Sequence, residues 1–153
     1  MGVLYDYFRA ASDAAAVSLM DESGGGPAAA GDGAAMDALD LKGVEPAVTL
    51  GKLVALVRGV SWDVNLVSME LLWSGAEEGP WLMSIDDAVR DTLASIAASA
   101  QLLELSAQWG RTEELAWNGP LPDEQMLPVI EQIAGLARRA CDAGDHMYCW
   151  CSL

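Results

Sequence analysis

The stretch CDAGDHMYCWCSL (Cys141–Leu153) admits two readings that lead to different folds. It holds every cysteine of the chain and its one histidine. As a metal knuckle, it would make Cys141, His146, Cys149 and Cys151 a zinc set. As a helix end, a glycine stop and a strand, it would place the same residues in a sheet. Spacing decides between them. Paired zinc-binding cysteines usually have about two to four residues between them, because the turn must aim both thiolates at one point. Cys149 and Cys151 are separated by Trp150 alone. In a strand, alternate residues share a face. Met147, Cys149, Cys151 and Leu153 then form an apolar row, and His146, Tyr148, Trp150 and Ser152 take the other side. The histidine points away from the two cysteines it would have to join. Two such Cα atoms lie about 6.6 Å apart in a flat strand, near the limit for a disulfide. No basic residue flanks Cys149 or Cys151 to lower a thiol pKa. The expectation is a closing strand over 146–153, with no metal and no cofactor.

Working back from that strand, Gly144 stops a helix that starts after NGPLPDEQ (Asn118–Gln125). Its apolar stripe is Ile130, Ile133, Ala134, Ala137 and Cys141, which makes Cys141 a small core residue. Asp86-Asp87 suits the positive end of another helix, whose buried face is Val89, Leu93, Ile96 and Ala100 and which runs on towards Trp109. MELLWSGAEEGPWLMSI (Met69–Ile85) consists of two apolar runs around a polar, glycine-containing turn. That is a β-hairpin, with Trp73 and Trp81 near each other across it. SWDVNLVS (Ser61–Ser68) is ambiguous. Pro46 and Gly59 bracket a helix with Leu50, Leu53, Val54 and Val57 on one face. GVLYDYFRA (Gly2–Ala10) reads as a strand, and Ser12-Asp13 caps a short alanine-rich helix to about Met20. ESGGGPAAAGDGAAMDALDLKG (Glu22–Gly43) has breakers and no period, and reads as a mobile surface loop.

The pattern predicts a single α+β domain over 1–153. It has a small, mainly antiparallel sheet of about four strands, terminal strands close together, and helices on one face. A chain of 153 residues with 52% hydrophobic residues and a mean hydropathy of +0.22 can bury a real core.

Charge is the outlier. With 23 acids against 8 Lys and Arg, the net charge is −15. Such a chain repels phosphate backbones and anionic leaflets, so nucleic acid and membrane are poor partners and a basic protein is a good one. No segment reaches the ~20 apolar residues of a membrane span. The start lacks a basic leader, and with three cysteines the expected location is the cytoplasm. No Lys or Arg occurs from Gly59 to Val89 or from Thr112 to Ala137. Glu77, Glu78, Asp86, Asp87, Glu113 and Glu114 are therefore candidate partner-facing residues. Six tryptophans add a second cue, because Trp is enriched at binding hot spots.

No nucleophile elbow, zinc-protease motif, P-loop or dinucleotide fingerprint is present. Adjacent acid pairs do not share a helix face and make poor acid/base dyads. The alternative is a small-molecule site or enzyme with a Trp/Tyr-lined pocket, in which Arg111 or His146 supplies the polar anchor.

VLYDYFRAASDAAAVSLM (Val3–Met20), LGKLVALVRGV (Leu50–Val60), EEGPWL (Glu77–Leu82) and IEQIAGLARRACDAGDHMYCWCSL (Ile130–Leu153) resemble uncharacterised small acidic actinobacterial proteins. A Tyr7-Phe8 strand before a Ser-capped helix, GPWLMSIDDAV (Gly79–Val89) before a helix, and the closing GDHMYCWCS (Gly144–Ser152) are similar to the YfbM-like family. The Gly/Ala loop departs from that pattern. The resemblance implies an α+β fold and a cytoplasmic location, and assigns no site.

Overall fold

The computed structural model describes residues 3–23, 37–96 and 99–153. Strand β1 (Leu4–Ala10) leads into α1 (Asp13–Ser23), whose first turn is capped by the Ser12 hydroxyl accepting from the Ala15 N–H at 3.1 Å. β2 (Ala38–Asp40) follows. Pro46–Leu50 then forms a π-type turn that runs directly into α2 (Gly51–Arg58). The Glu45 carboxylate accepts from Ala47 and Val48 N–H at 2.7 and 2.6 Å, satisfying two of the turn's orphan donors. β3 (Met69–Ser74) and β4 (Trp81–Ile85) make the hairpin. After it come α3 (Asp87–Ala94), α4 (Ser99–Gly110), the single turn α5 (Glu113–Ala116), α6 (Leu127–Ala143) and β5 (His146–Ser152).

The strands form one antiparallel sheet in the order β2-β1-β5-β4-β3. β5 is its centre. All seven β5 residues pair with β1, from Leu4 opposite Ser152 to Ala10 opposite His146. Five of them also pair with β4. The alternation expected from sequence holds. Met147 and Cys149 join the core formed with α2, α3, α4 and α6, while Tyr148 and Trp150 face the other way.

That other face departs from expectation. It is covered by α1, whose Ala16 and Met20 pack on Phe8, Leu82, Tyr148 and Trp150. Helices therefore lie on both sides of the sheet. The strand count is five rather than four, because Ala38–Asp40, inside the stretch read as loop, pairs with Asp6–Phe8. A three-residue strand is too short to show a period of two. Of the expected loop over 22–43, residues 24–36 lie outside the described residues.

Three further differences have local causes. The helix from Asp87 ends at Ala94, where the Ser95 hydroxyl donates to the Thr92 carbonyl at 2.6 Å and competes with the next helical turn. Ala100, expected on its buried face, has no described side chain. Trp73 and Trp81 are not neighbours: a bulge between Leu71 and Trp73 sets Trp73 opposite Leu82 on the α1 face, and Trp81 opposite Ser74 on the other. Cys141 is exposed rather than core, with its Sγ 3.5 Å from an Asp91 oxygen. It stands in the last turn of α6, beyond Ala140, the last buried residue of that helix.

The large core is tied by buried polar bonds. Trp109 Nε1 donates to the Thr49 carbonyl at 2.8 Å, and the Tyr7 hydroxyl donates to the Val44 carbonyl at 2.5 Å. Ser106 donates to the Asp123 carbonyl and accepts from the Met126 N–H, fixing the start of α6 against α4.

Candidate functional site

The cysteine tail forms no common centre. Cys149 and Cys151 lie on the large-core side of β5 and His146 on the other, and Cys141 stands on the exposed side of α6. Burial pushes the Cys149 thiol well above its usual range, and raises Cys151 as well. Cys141 is raised by burial and by the Asp91 carboxylate beside it. Thiols held protonated in this way are poor nucleophiles and poor ligands. Among the described residues, no group of three His, Cys, Asp or Glu side chains is placed to hold a metal ion.

His146 belongs to a different constellation. Its Nδ1 lies 2.7 Å from Asp87 Oδ1, at the start of α3. Asp87 also faces Arg90 at 3.4 Å, and Arg90 Nη1 donates to the Asp145 carbonyl at 2.7 Å. A depression of about 500 Å3 beside the pair is lined by Ser12, Asp13, Ser84, Asp87 and His146. An Asp–His pair beside two serines invites a hydrolytic reading. Both hydroxyls, however, are acceptors in structural bonds: Ser12 caps α1, and Ser84 accepts from the Glu70 N–H at 3.2 Å. Neither is bonded to His146 among the described residues.

Arg111 lines a separate depression of about 500 Å3 with Gly110, Ala116, Gly119, Pro120, Leu121 and Asp123, and pairs with Asp123 at 3.5 Å. Neither this depression nor the one at His146 is lined by Trp or Tyr. Trp117 is 79% exposed and borders a third depression, of about 540 Å3, with Lys42, Gln125 and Gln132. That depression contains neither Arg111 nor His146.

The acids fall into three places. Glu77 and Glu78 sit in the exposed turn between β3 and β4. Asp86 and Asp87 sit at the other end of β4, five residues or about 17 Å away along the strand, where Asp86 caps α3 by accepting from the Ala88 N–H at 3.0 Å. Glu113 and Glu114 start α5 on the helical side. Burial works against the Glu114 charge, but the Lys52 ammonium at 2.6 Å keeps its pKa below the usual carboxylate value.

The bases explain why acid dominates the outside. Arg9, Lys52, Arg90, Arg111 and Arg139 are in ion pairs, and Arg58 and Arg138 bond backbone carbonyls. Asp37 alone takes two of them: Arg139 at 2.6 Å and Arg9 at 2.8 Å. The Arg139 hydrogen bond is the largest of the causes that hold its carboxyl below the ordinary range. Only Lys42 lacks a partner among the described residues. Asp21, Glu22, Asp63, Glu70, Glu77, Glu78 and Glu124 are exposed and, among the described residues, pair with no base.

The open edge of the sheet was not singled out from sequence. β3 has β4 on one side and, among the described residues, no strand on the other. The Ser68 carbonyl accepts from the Asp86 N–H, and the Glu70 N–H meets Ser84, so both residues turn their backbone inward. Alternation turns the N–H and C=O of Met69 and Leu71 outward. Leu71 is also 63% exposed. The signal available in sequence was a hairpin within a long run free of Lys and Arg.

Comparison with known proteins finds no matching family model, no matching curated protein and no matching solved structure. No described helix is long and apolar enough to cross a membrane.

Proposed function

We propose that the chain is a non-enzymatic cytoplasmic interaction domain that docks a basic protein partner on its acidic surface. The observation that carries this reading is the fate of the eight bases. Seven are held in ion pairs or on backbone carbonyls, leaving a −15 chain whose exposed acids have few bases among them. Such a surface raises the encounter rate with a cationic partner and rejects anionic ones.

The test is a salt-resolved pull-down from the source organism's extract, with the triple variant Glu70→Gln, Glu77→Gln, Glu78→Gln as the control. A basic protein retained at low salt, released at high salt and lost by the variant is expected. Equal capture by both forms would sink the proposal. A narrower form makes the domain an immunity-type inhibitor of a basic toxin or nuclease. Co-expression with a toxin encoded beside it should then rescue growth, and no rescue would remove that version.

A further inference from the structure

We propose that the open β3 edge is a strand-addition site for an extended, basic segment of the partner, paired along Met69–Leu71. This rests on the interaction-domain reading and specifies its mode. Three observations lead to it.

The first is backbone chemistry. Met69 and Leu71 turn their N–H and C=O groups away from β4, and no described group meets them. An outward-facing row of this kind is a template for one more strand. The bulge between Leu71 and Trp73 twists the rest of β3 away, limiting the template to its first half.

The second is side-chain chemistry. Leu71, 63% exposed, offers a single apolar anchor at the end of this half-strand, just before the bulge. Glu70, at the centre, projects from the opposite face, and Glu77 and Glu78 lie in the turn beyond. The end of α1 is close on the same edge, because Trp73 Nε1 donates to Asp21 Oδ1 at 3.1 Å, and Glu22 follows. No Lys or Arg occurs from Gly59 to Val89. An incoming strand therefore meets carboxylates at every charged position, and lysine or arginine at alternate residues complements them.

The third is the contrast with the opposite edge. β2 is three residues long, Asp37 ahead of it is neutralised by Arg9 and Arg139, and Lys42 follows it. The β3 edge is longer and, among the described residues, has no base beside it. A second copy of this chain is a poor occupant. Edge-to-edge pairing would bring the Glu70, Glu77 and Glu78 sets of two copies together, and like charges across a ladder repel.

The experiment uses the full chain and two short peptides of alternating lysine and valine, identical except that one is N-methylated on alternate residues and cannot pair as a strand. Binding is followed at low salt, together with amide exchange at Met69 and Leu71. The unmodified peptide should slow both amides about tenfold or more and should bind better than its methylated twin. Leu71→Pro should weaken it about tenfold or more, because proline removes an outward donor without breaking the β3–β4 ladder. Equal binding of both peptides, with unchanged exchange at Met69 and Leu71, would overturn strand addition and leave acidic docking standing. No binding of either peptide would remove the acidic-docking reading as well. If the proline variant does not fold, the two peptides on the wild-type chain decide alone.

Discussion

The two faces of the sheet are built on different scales. On one side, α2, α3, α4 and α6 enclose a buried cluster of twenty-two residues among those described; on the other, the cluster under α1 has seven, two of them from α1 itself. The large side is held by long aliphatic chains and buried hydrogen bonds from Tyr7, Ser106 and Trp109. The small side relies on rings: Phe8 stacks on Tyr148 at 5.5 Å, with Trp150 alongside. Its polar bonds are fewer, and the Trp150 indole N–H is buried without a partner among the described residues. Stability should therefore be global on one face and local on the other.

The largest effect should come from Leu93→Ala, which opens a cavity where α3 packs in the main core. About 2–5 kcal/mol of destabilisation is expected, read as a shift of a single urea transition. A loss under about 1 kcal/mol would mean that this face is not the principal source of stability.

Met20→Ala should cost about 2 kcal/mol. More tellingly, amide exchange should quicken across Asp13–Ser23 while α6 stays protected. Uniform acceleration in both helices would show that the two faces unfold as one.

Tyr148→Phe removes the hydroxyl that donates to Asp13 Oδ1 at 2.9 Å and keeps the stacked ring. A loss of about 1 kcal/mol is expected from thermal or urea unfolding. No change would mean that this bond does not fasten α1 to the sheet.

The smallest effect concerns Asp37, whose pKa is lowered in the fold by Arg139 and Arg9. A lowered carboxylate stabilises fully above its ordinary pKa, and that contribution disappears as pH falls through the lowered value. Between about pH 5 and about pH 2, Asp37→Asn should therefore lose stability less steeply than the wild type. Parallel curves would show that the pair of arginines adds nothing at equilibrium.

What sequence revealed divides along the same line. The main core was legible because its helices carry Leu, Ile and Val at repeating intervals: Leu50, Leu53, Val54, Val89, Leu93, Ile130 and Ile133 are all buried as expected. The alternation of Met147 through Trp150 was equally clear, since every residue there is distinctive. The small face was hidden. α1 is mostly alanine and short polar residues, so its buried side, Ala16 and Met20, looks no different from its exposed one. β2 has too few residues to show a pattern. Acidic pairs adjacent in sequence revealed net charge but not location, because β4 carries Glu78 and Asp86 to opposite ends of the sheet. The open edge depends on strand order, a property of pairings between distant segments that no local window contains.

The central place of β5 has a consequence for how the chain is made. Its two ladders, to β1 and to β4, both await the last of these elements to leave a ribosome. Until then β1 and the hairpin have no strand between them, and Phe8, Leu82 and Ile85 lack the surface that buries them. Folding is therefore held back until β5 has emerged, and it then requires closing a loop of well over a hundred residues. A chain halted before His146 would present unpaired, apolar strands on both sides of a missing centre, the kind of species that chaperones retain and that aggregates when they do not.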